Sequence, residues 1–422
     1  MALPPELSRL SASAEPFKPS CDVVSAESLP PVSQDTNGDF ARLGYVPAVC
    51  VIVSTAAATM YSGILISRLC RAVPDAVIFG DIGDAALGRR GRWLSYAVIY
   101  ATDATRCIIL HLAATQALQA AVARPDIPLL VYGLVVAGAA LVFAQIRSLS
   151  ELGWFLSAGT LAQLVALALI AWGLLAAPAP EARTRLVVGG GAGALAPALI
   201  AVMNIIFAFG GQFAFVEIIT AMRRPREFPA AVGASTPLMA ALYLLLGAIG
   251  YWSRGEDSPE LIIFGMGTGP AARAAAAAIL LQALAQYLVN LNVWTHNILT
   301  LVARRRAGLS SAGRSLCDVR TACDHARAPW AVASAGVVAY SCAVAVALPF
   351  FSTLVGLVTS VTYLTCAYTL PAWFTLLLVP EMPRGERALC KYGLIPLSLL
   401  LSVAGFCASA ADLVYNLGGR PA

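Results

Sequence analysis

Charge is what this sequence has least of. Only 12% of its 422 residues are charged, against 59% that are hydrophobic, and the mean hydropathy is +0.76. A soluble domain of this size needs a charged surface, so the balance names lipid as the main solvent. The formal charge of +5 is not gathered into a nucleic-acid-binding patch, and no long acidic tail is present. Histidine is scarce too, at His111, His296 and His325. With no HExxH run and no nucleophile elbow, the usual integral-membrane hydrolases are excluded and no catalytic residue is assigned. Ten cysteines occur without a single CxxC pair. Cys50, Cys70, Cys107, Cys342, Cys366 and Cys407 lie in apolar runs, where a free Cys behaves as a small hydrophobe. Cys317, Asp318, Cys323, Asp324 and His325 share one basic loop, but their spacing fits no zinc pattern, so neither a metal nor a cofactor is implied. A filter-like repeat, expected of an ion channel, is also missing.

What the chain does have is long apolar runs. About twenty apolar residues cross a bilayer as a helix that satisfies its own backbone. Ten such runs are readable: residues 46–70, 93–122, 127–146, 152–177, 194–222, 230–252, 271–302, 330–350, 352–379 and 392–417. The fold class is therefore an all-α polytopic membrane protein, with the bilayer as its surroundings. Its membrane domain spans 46–417, followed by a short tail, 418–422. The runs near Trp93 and Ala271 are long enough to tilt or protrude.

Arginine orients the bundle. One set of alternate loops holds Arg68, Arg71, Arg89, Arg90, Arg92, Arg147, Arg223, Arg224, Arg226, Arg304, Arg305, Arg306, Arg314, Arg320, Arg327, Arg384, Arg387 and Lys391. The opposite set holds only Arg124, Arg183, Arg185, Arg254 and Arg273, diluted by acidic residues. Under the positive-inside rule the first set is cytoplasmic. The plasma membrane and internal membranes are equally compatible with that pattern. Residues 1–45 are rich in Pro, Ser, Glu and Asp, carry no signal-peptide core, and read as a polar, disordered segment. A hydrophilic start on the outer face suggests that a membrane helix is missing from the front.

One stretch is specific. Phe207-Ala208-Phe209-Gly210-Gly211-Gln212-Phe213-Ala214-Phe215-Val216-Glu217 is followed by Met222-Arg223-Arg224-Pro225-Arg226-Glu227-Phe228-Pro229. An aromatic-Gly-Gly core, an acidic residue and a Met-x-x-Pro-Arg-Glu-Phe-Pro run in this order resemble the amino acid/auxin permease family. Gln145-Ile146-Arg147-Ser148-Leu149, with Glu151-Leu152-Gly153-Trp154, resembles a second signature of that family. Tyr61-Ser62-Gly63 and Arg68-Leu69 resemble the end of its second helix. The resemblance runs from about Leu43 to the C-terminus. It implies the five-plus-five inverted repeat of the amino acid–polyamine–organocation superfamily, in which the first and sixth helices are broken at mid-membrane around the substrate. The ten runs would then be helices two to eleven. Met1-Ala2-Leu3-Pro4 would be a remnant of a truncated first helix, Ala41–Tyr45 its exit, and half of the binding site would be absent. The implied activity is secondary transport of amino acids by alternating access, with protons as a candidate coupling ion. The alternative is a transport-incompetent sensor or interaction protein that keeps the fold.

The residues support a break independently. Paired glycines weaken a helix by about 1 kcal/mol each against Ala. Non-helical backbone at membrane depth survives only where it is buried in protein or lines a cavity. The free N–H and C=O groups of such a break suit the carboxylate and ammonium of an amino acid. Phe209, Gly210, Gly211 and Gln212 are thus substrate-binding candidates, against the alternative that the glycines only allow close packing. Glu217, in the same run, would cost roughly 2.5–3.5 kcal/mol if ionised at the bilayer centre, so it is expected to face the interior. It would act there as a proton carrier or as a structural carboxylate. Asp103, Cys107, His111 and Thr115 form a stripe expected to look into the bundle. Asp103 can pair with Arg106 one turn away, in a transport role or as an orienting pair at the cytoplasmic border. His111 is a further proton-coupling candidate, or a satisfied core histidine. On the 271–302 run, Gln282, Gln286, Asn290 and Asn297 share a face, with Asn292 and His296 nearby. Gln286 and Asn290 are the substrate-binding candidates there, with helix–helix hydrogen bonding as the alternative.

Overall fold

The computed structural model describes residues 36–418, apart from 77, 125, 147–148, 177–182, 189–191, 259–261, 268 and 307–326. The loop cysteines Cys317 and Cys323, with their acidic and histidine neighbours, lie outside the described residues. The described chain is helical throughout. Its elements are α1 (Thr36–Leu43), α2 (Tyr45–Ala72), α3 (Phe79–Leu87), α4 (Arg89–Val122), α5 (Leu129–Phe143), α6 (Leu149–Ala176) and α7 (Leu195–Ala208). Then follow α8 (Phe215–Ala221), α9 (Phe228–Arg254), α10 (Pro270–Arg306), α11 (Arg327–Ala347), α12 (Phe351–Val358), α13 (Leu370–Leu378) and α14 (Ile395–Gly418).

Nine of the expected spans are long and apolar enough to cross a bilayer among the described residues, and the tenth, α5, is a shorter apolar helix of 15 residues. At about 1.5 Å per residue α5 reaches only about 22 Å. Helices α4 and α10, with 34 and 37 residues, exceed the thickness of the hydrocarbon and must tilt or protrude. They pack along each other, and α10 also packs along α6. Burial separates centre from rim. In the span containing α12 and α13, 78% of the most apolar window is buried, against 22% in the span ending in α14. The first is therefore interior and the second faces lipid. Trp93, Trp154 and Trp252, near span ends, are exposed, as amphipathic rings at a membrane border should be.

Residues 36–43 depart from the polar, disordered segment expected over 1–45. They form α1, which packs against α7 and α9. Phe40 and Leu43 are buried beside Tyr243, Leu246 and Tyr251. Asp39 is 1% exposed and accepts a hydrogen bond from Asn204 Nδ2 on α7 at 3.0 Å. That partner is what sequence polarity alone hides: a buried carboxylate persists where a fixed donor meets it. Gly44, at φ +80°, makes the turn into α2. A Cβ there would stand 3.0 Å from the Val187 backbone, so both conformation and space call for glycine.

Candidate functional site

The helix carrying Phe209–Gln212 is interrupted. Helix α7 stops at Ala208, a single 3₁₀ turn covers Gln212–Ala214, and α8 resumes at Phe215. The break falls near the middle of the 26-residue Leu195–Thr220 span, and its loose ends are tied by side chains from neighbouring helices. The Tyr243 hydroxyl of α9 donates to the Ala208 carbonyl at 2.7 Å. The Gly211 amide donates to Gln212 Oε1 at 2.9 Å. Gln212 Nε2 donates to Thr59 Oγ1 of α2 at 3.1 Å, and that hydroxyl lies 3.0 Å from the Tyr368 hydroxyl. Such satisfaction is what lets irregular backbone persist inside a membrane.

Tyr368 belongs to a stretch that hydropathy did not distinguish. Between α12 and α13 the backbone is wound as π-helix over Thr359–Tyr363 and Thr365–Thr369, a form frequent at functional sites. The π segments bring Tyr363 against the break. Its ring centroid lies 4.8 Å from that of Phe207 and 6.2 Å from that of Phe213. A Cβ on Gly210 would fall 2.3 Å from Tyr363 ring carbons. The close-packing reading of this glycine therefore holds together with the break rather than against it.

Helix α4 supplies the charge. Its predicted stripe is buried: Asp103 at 3% exposure and Cys107, His111 and Thr115 each at 0%. Asn297 Nδ2 donates to Asp103 Oδ2 at 3.0 Å. Arg106 is buried with its guanidinium 5.1 Å from the Phe213 ring centroid. Phe213 lies in the 3₁₀ turn of the break, so Arg106 reaches the interrupted segment. The residue type alone flagged Arg106, but its direction depends on how α4 sits against α7 and α8. His111 sits elsewhere, its Nε2 3.3 Å from the Gly133 carbonyl and its ring edge-on to Tyr287.

The amides of α10 do not act as one face. Asn290 Nδ2 donates to the Asp103 carbonyl at 3.1 Å and to Cys107 Sγ at 3.2 Å, joining α10 to α4. Gln282 turns toward α6, where a Cβ on Gly159 would meet its Oε1 at 2.6 Å. Gln286 is buried, and Asn292 donates to the Ile146 carbonyl at 3.1 Å. On a 3.6-residue period a helix this long drifts its stripe across two neighbours, which splits the face.

Glu217 corrects a firmer expectation. It is exposed on α8, whose buried side is Phe215, Val216 and Ile219. The expectation placed Glu217 at the bilayer centre, but it lies on the seven-residue α8 that leads into the arginine-rich loop, where a carboxylate costs less.

The described residues form an all-helical bundle of long apolar spans around an interrupted helix, an architecture of polytopic membrane proteins. The model of the family described as transmembrane amino acid transporter protein matches residues 38–414, and the chain belongs to that family. The match begins inside α1. Among solved structures the chain is similar in fold to the crystal structure of MhsT in complex with L-phenylalanine, with a TM-score of 0.62 and 12% identity, covering 94% of this chain and 100% of that one.

Proposed function

We propose that this amino acid transporter works by alternating access, with the substrate held at Phe209–Gln212 and protons as the coupling ion. The observation that carries this reading is the interruption itself: backbone irregular at mid-span, tied to α2 and α9, with Tyr363 on one side and Arg106 on another. Family membership and the likeness to a transporter bound to an amino acid support it. Asn290 serves the site indirectly by joining α10 to α4 at Asp103 and Cys107, and Gln286 is buried one turn before it. Of the proton candidates, Asp103 has the strongest support. It is a buried carboxylate on the helix whose Arg106 reaches the break, and it accepts a hydrogen bond from Asn297. The exposed position of Glu217 and the core position of His111 favour structural roles for both.

Proteoliposome uptake tests this. The purified chain should accumulate amino acids when the lumen is made alkaline relative to the outside. Asp103→Asn should abolish that accumulation while leaving counterflow, and Glu217→Gln should keep it. Absence of any saturable uptake would leave the sensor reading in place. Gradient-driven accumulation by the Asn variant would remove Asp103 from the coupling.

A further inference from the structure

The described interior holds Asp39, Asp103, Arg106, His111 and His296 as its buried ionisable side chains of acid or base character. Arg106 alone among them carries a permanent positive charge. Among the described residues its guanidinium makes no hydrogen bond and no ion pair, and it lies over the face of Phe213. Nor is it sealed in. The fully enclosed polar atoms lacking partners include His111 Nδ1 but no nitrogen of Arg106, whose residue keeps 6% exposure. A cation–π contact offsets only part of the cost of burying a guanidinium. The five N–H donors still need an acceptor, and the fork geometry matches a carboxylate. The backbone offers that carboxylate less than the break suggests. The Gly211 amide is occupied by Gln212 Oε1, and Gln212 is itself anchored to Thr59.

We propose that Arg106 is the carboxylate anchor of the substrate site, so that the substrate is recognised by its carboxylate through a side chain of α4 and not by the broken backbone alone. This rests on the reading that substrate binds at the break. It confines the substrates to carboxylate-bearing solutes and excludes amines and amino acid amides. In the resting state the Phe213 ring holds the guanidinium in place of the carboxylate.

The test uses the full chain in proteoliposomes, with each standard amino acid offered singly as a radiolabelled substrate. For the best of them, the unlabelled acid should compete in the wild-type protein and its carboxamide should not. Arg106→Gln should raise the KM for the acid about 10-fold to 100-fold, the size of one charge-assisted hydrogen bond lost, and should erase the preference for acid over amide. Arg106→Lys should recover part of both. If the Gln variant does not reach the membrane, the wild-type competition decides by itself. A carboxamide that competes as well as the acid overturns the proposal, as does an unchanged KM in a folded Gln variant. Uptake of no amino acid by the wild-type protein overturns instead the reading beneath it.

Discussion

Gly210 is a glycine for reasons of space. Its φ is not in the left-handed region, yet a methyl group in its place would overlap the Tyr363 ring. Overpacking of this kind costs about 1–3 kcal/mol. Gly210→Ala should therefore lower the melting temperature in detergent and reduce uptake, and a second change, Tyr363→Leu, should restore part of the stability. A melting temperature unchanged by the alanine would show that the ring moves aside freely. The Gly-Gly pair was legible in the sequence because a glycine pair inside an apolar run has few explanations. Tyr363 was not, because an aromatic in an apolar helix ordinarily reads as core. Arg106 was visible as an expensive residue, but its target at Phe213 depends on packing between helices far apart in the chain. Glu217 misled because its depth was read from a continuous span, whereas it sits on the short α8 next to the arginine-rich loop.

At the scale of elements, α4 and α10 are joined by amides more than by charge. Asn290 bonds the Asp103 carbonyl and Cys107 Sγ, and Asn297 bonds the Asp103 carboxylate. Interhelical hydrogen bonds inside membranes contribute about 0.6 kcal/mol on average, with maxima near 1.7. Asn290→Ala should accordingly cost about 1 kcal/mol, measured as a small loss of thermal stability, with a larger loss of transport through misplacement of α4. A cost near zero would mean that apolar packing between the helices alone holds the pair. Helix positions were readable from hydropathy because only long apolar runs can cross a bilayer. Two elements escaped it. The π-helical stretch from Thr359 to Thr369 keeps an ordinary hydropathy while its winding is set by neighbours. Helix α1 is polar by composition, and its stability comes from Asn204 and from the aromatic cluster of Phe40, Tyr45 and Tyr251.

Across the whole molecule, the ion pairs between elements among the described residues lie at the two ends of the bundle. At the arginine-rich end, Arg68 of α2 pairs with Glu386 ahead of α14, and Arg92 of α4 pairs with Asp84 of α3. A cavity of about 400 Å³ opens there between Arg68, Arg71 and Pro380. At the other end, Arg185 pairs with Glu256, and Thr353 bonds Asp412 of α14. The break lies between these two ends of the bundle. The most direct test is a structure of the full chain in lipid nanodiscs with a transported amino acid bound. The account predicts that α7 and α8 remain separated at Gly210–Gln212 and that the ligand touches this segment, with its carboxylate on Arg106. A continuous helix from Leu195 to Ala221, or a ligand seated away from the break, would contradict it.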